Sequence, residues 1–262
     1  MNPNRLRWGA LAWLLTLQFF VVEAIAASRF EGSYSRADDT ISALGAADSA
    51  AATLMNASFV VQGVLILTGT LLLRPALMRG AADVAPVLLG GAAVGVVLVG
   101  VFPTDGNSTM HAIGAVLYLL GGGLALIALA YAVRPRSELL GTTLALLGLI
   151  GTAATVFFLT GVVDVLGNGG TERAAGYVLP IALAVAGAAL WRLGVPSSDA
   201  STEERLTRRE ERELIRAERA ERDRRRDEAL EAAVRRPVSE SPAVDADGTE
   251  DDPWAGQGRR RD

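Results

Sequence analysis

A single histidine, His111, stands in a chain that has no cysteine and no lysine. Shortly before it comes Asp105, and an imidazole with a carboxylate in reach is the smallest pair able to shuttle a proton. With one more carboxylate, from Asp38 or Glu172, the same ring could instead hold a single divalent ion. One histidine cannot form a three-histidine zinc site, and the missing cysteines exclude disulfides, thiolate metal sites and cysteine nucleophiles. The sequence reads Ser108 as a helix N-cap, which puts His111 in the first turn. That is a poor place for an added positive charge, so a neutral ring acting as base or ligand is the reading. Asp105 and His111 are the candidate catalytic pair, and a hydrogen bond that merely closes the loop is the alternative.

Other polar residues cluster in the same kinds of segment. Glu23 interrupts an apolar run, where a charge is costly unless it faces the bundle interior and finds a partner, and Arg173 or Arg29 would serve. Asp38, Asp39, Thr40 and Ser42 read as the solvated start of a short helix, with Asp39 or Thr40 as cap. Ser42 lacks any recognisable nucleophile motif. Asn56 and Gln62 suit interhelical hydrogen bonding. Glu172 and Arg173 close a glycine-rich loop and could orient an anionic group. The candidate binding set is therefore Glu23, Asp38, Asp39, Ser42, Asn56, Glu172 and Arg173, and no cofactor is indicated.

The elements that must position these residues are six long apolar segments: Leu6–Ala27, Thr53–Leu73, Ala85–Phe102, Met110–Val133, Leu139–Val163 and Ala174–Leu193. A bilayer core about 30 Å thick needs about 20 mostly apolar residues, so the expected fold is all-α, a six-transmembrane-helix bundle over residues 1–195. The first segment could pass for a signal peptide, with Arg5 and Arg7 ahead of it and Ala24-Ile25-Ala26 as cleavage site. Its apolar run is too long for that and Glu23 sits beside the cut, so it is kept as a span. Arg5, Arg7, Arg74, Arg79, Arg134, Arg136 and Arg192 flank one side, whereas Arg29, Arg36 and Arg173 flank the other. The positive-inside rule then places both termini in the cytoplasm of a multi-pass plasma-membrane protein. At about 1.5 Å per residue, Asn56 stands roughly 27 Å from Arg74, and His111 roughly 34 Å from Arg134. Glu23, likewise, lies far from Arg7, so a polar layer gathers near the outer boundary. Gly91 with Gly95, Gly121 to Gly123, and Gly148 with Gly151 suit close helix packing.

Behind the bundle, most of the charge is concentrated in the last quarter of the chain. The net charge of −4 is small and mixed in sign, which argues against nucleic acid. Ser201-Thr202-Glu203-Glu204 reads as a capping box opening a charged cytoplasmic helix over 196–236. Glu204 with Arg208, Glu218 with Arg222 and Glu221 with Arg225 support it as four-apart pairs. Residues 237–262 read as a disordered acidic tail, in which Trp254 and Arg259 to Arg261 could touch a partner or anionic lipid.

Four stretches carry a resemblance. Ile41-Ser42-Ala43-Leu44-Gly45, the residues from Asn56 to Gly63, Phe102-Pro103-Thr104-Asp105 followed by His111, and Gly170-Thr171-Glu172-Arg173 together resemble the bacterial and archaeal family known as domain of unknown function 998. The resemblance covers about residues 6–193 and implies a six-helix integral membrane domain. It brings no activity, substrate or catalytic residue, and the tail lies outside it. Three functions stay open. The chain could bind or move a lipid or small amphiphile at the outer polar layer, act as a hydrolase-like enzyme through Asp105 and His111, or recruit a cytoplasmic protein through residues 201–262.

Overall fold

The computed structural model describes residues 2–78, 81–194 and 198–235, with side chains of the last segment described over 212–231. Among the described residues there are helices and no strand, only an isolated bridge between Phe30 and Ser49. Six helical spans are long and apolar enough to cross a bilayer, so this is a multi-pass membrane protein.

The first span is α1 (Pro3–Leu15) followed by α2 (Gln18–Ser28), not the single helix the sequence suggests. The break sits at Thr16, which is fully buried. Its hydroxyl donates to the Trp13 carbonyl at 2.6 Å and to the Pro180 carbonyl at 3.2 Å, tying this span to the sixth. Next come α3 (Ala52–Leu73), α4 (Ala81–Val101), α5 (Ser108–Val133) and α6 (Glu138–Thr160). Helix α6 stops three residues before the expected end because Gly161 takes a left-handed conformation, φ 73°. Val162 N–H then donates back to the Phe157 carbonyl, a glycine-terminated helix end. Asn107, not Ser108, caps α5, accepting from Met110 N at 3.1 Å, which leaves His111 at the end of the first turn.

The sixth span differs most from expectation. It opens at Gly167 as α7 (Gly167–Gly176) and continues after a step at Tyr177 as α8 (Val178–Leu193). Glu172 and Arg173 therefore lie inside a buried helix rather than in a loop. Pro180 explains the step. It has no N–H to give to the Gly176 carbonyl one turn earlier, and the Tyr118 hydroxyl donates there instead at 3.3 Å.

Large apolar side chains such as Val87, Leu146, Leu149 and Phe157 remain outward and exposed. In water so much apolar surface would be a liability; in lipid it is the natural outer face. Lipid supplies no hydrophobic drive for helix association, so backbones must approach closely. A Cβ on Gly95 would lie 2.6 Å from the Gly114 carbonyl oxygen, and one on Gly148 2.8 Å from that of Gly123. Gly91, expected to pair with Gly95, meets nothing within 4 Å. At the end of the bundle bearing Arg5 and Arg136, the Arg5 guanidinium donates to the Leu71 and Leu72 carbonyls. Arg136 donates to Gly194, and half-burial makes its charged form less favourable than usual.

The charged segment is a separate unit. Its helix α9 (Ser198–Arg235) is a single rod, with Glu218–Arg222 at 2.5 Å and Glu221–Arg225 at 2.6 Å, all four side chains exposed. The side chains of the capping box and Glu204, residues 237–262, Trp254 and Arg259 to Arg261 lie outside what is described.

Candidate functional site

The polar layer converges on one segment, the connection between α2 and α3 at residues 29–51. This segment is held partly by its own backbone bonds, such as Glu31 N–H to the Asp48 carbonyl at 3.0 Å and Ala50 N–H to that of Arg29 at 3.3 Å. A short 3₁₀ turn, Ser42–Gly45, is its most ordered part, opened by Thr40 Oγ1 accepting from Ala43 N at 3.2 Å. Almost every sequence candidate grips it.

The Glu23–Arg173 pair is real and buried, 2.9 Å from Nε to Oε1, with side chains 2% and 8% exposed. Of the two expected partners, Arg173 is the one that pairs with Glu23. Its other nitrogens donate to the carbonyls of Arg36 at 2.7 Å, Asp39 at 2.8 Å and Gly169 at 3.1 Å, and to the Tyr34 hydroxyl. Glu23 is completed by the Tyr177 hydroxyl at 2.6 Å. The Tyr34 hydroxyl in turn donates to the Thr40 carbonyl at 3.0 Å. Burial pushes the Tyr34 phenol above its ordinary value, against the pull of the Arg173 guanidinium. This cation clamps the connection.

Glycine makes the clamp possible. A Cβ on Gly167, whose φ is 76°, would lie 2.2 Å from the Ala37 carbonyl oxygen, and one on Gly169 2.1 Å from that of Asp39. Gly170 N–H donates to the Ala37 carbonyl at 2.9 Å. The run Gly167-Asn168-Gly169-Gly170, read as loop composition, is a helical surface kept bare so that another backbone can lie on it.

Asp38, Asp39, Asn56 and Asp105 also serve the connection. Asp38 accepts from the Ser35 hydroxyl and Asp39 from Ser35 N, each at 2.7 Å. Asn56 donates to the Gly45 carbonyl at 2.8 Å, and its buried Oδ1 has no protein partner. Asp105 is exposed and accepts from Ala47 N at 2.9 Å. No hydrogen bond joins Asp105 to His111, and among the described residues no three of His, Asp or Glu assemble a metal-binding group. His111 takes part in a different arrangement.

That arrangement is His111, Ser42 and Glu172. His111 Nε2 lies 3.0 Å from Ser42 Oγ, and its Nδ1 lies 2.8 Å from the Phe102 carbonyl oxygen. Ser42 Oγ is also 2.9 Å from Glu172 Oε1, and Glu172 Oε2 accepts from Ile41 N. Histidine comes from α5, serine from the 3₁₀ turn and glutamate from α7, so three distant stretches meet at one hydroxyl. His111 and Glu172 are buried. Beside Ser42 and Glu172 is a partly open cavity of about 30 Å³. Phe19, Phe59, Val96 and Leu119 line its apolar side, Ser42 and Glu172 its polar end. A second polar cluster lies along the first and second spans, where Gln18 Nε2 donates to Gln62 Oε1 at 3.2 Å and Ser58 Oγ to Gln18 Oε1 at 3.0 Å. That is the interhelical bonding expected of Gln62.

Two partners were missed from sequence. Tyr177 follows Arg173 by one helical turn, so it falls on the same helix face, a periodicity that was legible. Tyr34 was hidden because no pattern links a loop phenol to a guanidinium so far along the chain.

The family model described as "Protein of unknown function (DUF998)" matches residues 14–189, and the chain belongs to that family. No curated protein and no solved structure matches it.

Proposed function

We propose that this DUF998 member holds a lipid or small amphiphile in the cavity beneath the residue 29–51 connection. The observation that carries the reading is the make-up of that one cavity. It has an apolar wall of Phe19, Phe59, Val96 and Leu119 ending on Ser42 and Glu172, which is how a site matches a molecule with one greasy and one hydrogen-bonding end. The cavity as it stands admits only a few atoms, so it would take the end of such a molecule and not the whole of it. This end is proposed to face away from the cytoplasm of the plasma membrane. Arg173 is buried inside the bundle, which among the described residues leaves Arg29 and Arg36 flanking this end against Arg5, Arg7, Arg74, Arg134, Arg136 and Arg192 at the other. Both termini are then cytoplasmic, and the binding role belongs to residues 1–195 rather than the tail.

The test is native mass spectrometry of the purified protein. Ala115 lines the cavity and has no side-chain polar group, so Ala115→Phe fills the space without breaking a hydrogen bond. A co-bound molecule present in the parent, retained after deletion of 196–262 and lost in Ala115→Phe is the expected result. An empty parent protein, or occupancy unchanged by Ala115→Phe, overturns the reading.

A further inference from the structure

We propose that Ser42 is a nucleophile, with His111 as its base, and that it takes an acyl group from a carboxylic-ester amphiphile. The substrate class rests on the reading of the cavity as an amphiphile site; the nucleophile itself rests on the side-chain geometry alone.

Other buried hydroxyls here behave in the ordinary structural way. Thr70, Thr155 and Thr171 each donate to a carbonyl one turn back in their own helix. Ser42 does not. Its hydroxyl lies between two ionisable side chains, donating to Glu172 Oε1 at 2.9 Å with His111 Nε2 3.0 Å away on its other side. The Phe102 carbonyl oxygen can only accept, so the 2.8 Å contact to Nδ1 puts the ring proton on Nδ1. Nε2 then presents its lone pair to Ser42 Oγ. Nucleophile, base and a group that fixes the base's tautomer are thus in line, with a backbone carbonyl in the orienting role often taken by a carboxylate. Glu172 is a positioning residue, since it accepts from Ile41 N and holds the turn that carries Ser42. Ser42 also lines the cavity whose apolar wall would receive the start of an acyl chain.

The step balances within these groups. The Ser42 hydroxyl turns from Glu172 Oε1 to His111 Nε2, Oγ attacks the ester carbonyl carbon as its proton passes to Nε2, and the carbonyl π pair moves onto oxygen. Collapse breaks the bond to the leaving alcohol oxygen, which takes the proton from Nε2, leaving acyl-Ser42. Water or a second alcohol, deprotonated by the same nitrogen, then releases the acyl group.

An alkyl fluorophosphonate tests this on the full chain in lipid nanodiscs, because an activated serine forms an Oγ–P bond and expels fluoride. The expected result is one adduct, mapped to Ser42, absent from Ser42→Ala and formed at least about 100-fold more slowly in His111→Ala. Ser42→Cys guards against misfolding of the histidine variant: in this cysteine-free chain it is the sole thiol, and its alkylation should be faster with His111 present than with His111→Gln. An unmodified Ser42, or labelling and alkylation indifferent to position 111, overturns the proposal. A co-bound amphiphile with an inert Ser42 would sink the nucleophile and spare the binding reading. A labelled Ser42 in a protein that never retains an amphiphile would do the reverse.

Discussion

Replacing Arg173 by Met should free the 29–51 connection from the bundle while leaving the six spans assembled. The side chain is 8% exposed and faces Glu23, which is 2% exposed. Removing one member of a buried ion pair leaves the other as an uncompensated charge, at about 3–5 kcal/mol. The Arg36 and Asp39 carbonyls also lose their donor, but they recover water when the connection lifts. The penalty is therefore relieved by local opening and falls on that step, not on the whole bundle. About 3 kcal/mol corresponds to a rise of roughly 100-fold or more in the open population. The chain has no cysteine, so Ser49→Cys, buried at 4% exposure in the same connection, gives a single thiol whose alkylation rate reports opening. Glu23→Gln should be milder, because Arg173 keeps its three carbonyls and Tyr34. The double variant Glu23→Met with Arg173→Met should cost less than the two single changes together. Alkylation in Arg173→Met within threefold of the parent, or a double variant as costly as the sum of the singles, would refute the clamp.

Two further outcomes follow from the same geometry. Gly169→Ala forces a Cβ to 2.1 Å from the Asp39 carbonyl oxygen, where backbone cannot yield cheaply. It should destabilise the closed connection by about 1–3 kcal/mol and speed Ser49→Cys alkylation, whereas Gly91→Ala, with open space around it, should not. Tyr34 gives a pH signature. Its folded-state phenol titrates above the ordinary value near 10, so the closed form keeps a proton that the free chain loses. The stability from Tyr34 is complete below that ordinary value and disappears as pH rises through the folded one. Thermal melts from pH 8 to 11 should fall more steeply for the parent than for Tyr34→Phe. No lysine or cysteine confuses that range, and only the other three tyrosines share it.

Span number was legible because it needs only length and apolarity, and both survive averaging over several residues. The first and sixth spans were misjudged where a single atom decides. Thr16 turns the chain by satisfying two carbonyls, and Pro180 steps it by withholding one N–H; neither leaves a trace in an apolar window. Glu172 and Arg173 were assigned to a loop because glycine and charge usually mean solvent. Here the glycines make room for a neighbouring backbone, and the charges satisfy that backbone's carbonyls and N–H groups. Glu23 and Arg173 could be paired from sequence because an isolated charge in an apolar span demands a partner. The pairing of His111 with Ser42 carried no such demand, since both residues are content near water, and so Asp105 stood in Ser42's place on grounds of proximity along the chain alone.

The distinction between the two polar networks is one of supply against need. A connection that crosses the end of an apolar bundle has backbone groups for which water is scarce, and each must be met. Arg173 meets Arg36 and Asp39, Asn56 meets Gly45, Asp105 meets Ala47 and Glu172 meets Ile41. His111 Nδ1 meets the Phe102 carbonyl, left over where α4 ends. Every one of these bonds answers a demand of the fold. The contact between His111 Nε2 and Ser42 involves no backbone group, and alanine at position 42 would leave every backbone group of the connection paired as before. Two ionisable groups converging on one hydroxyl, at the mouth of an apolar cavity, exceed what holding the connection requires. That convergence is the physical reason to look for chemistry at Ser42 and not at the Glu23–Arg173 pair beside it.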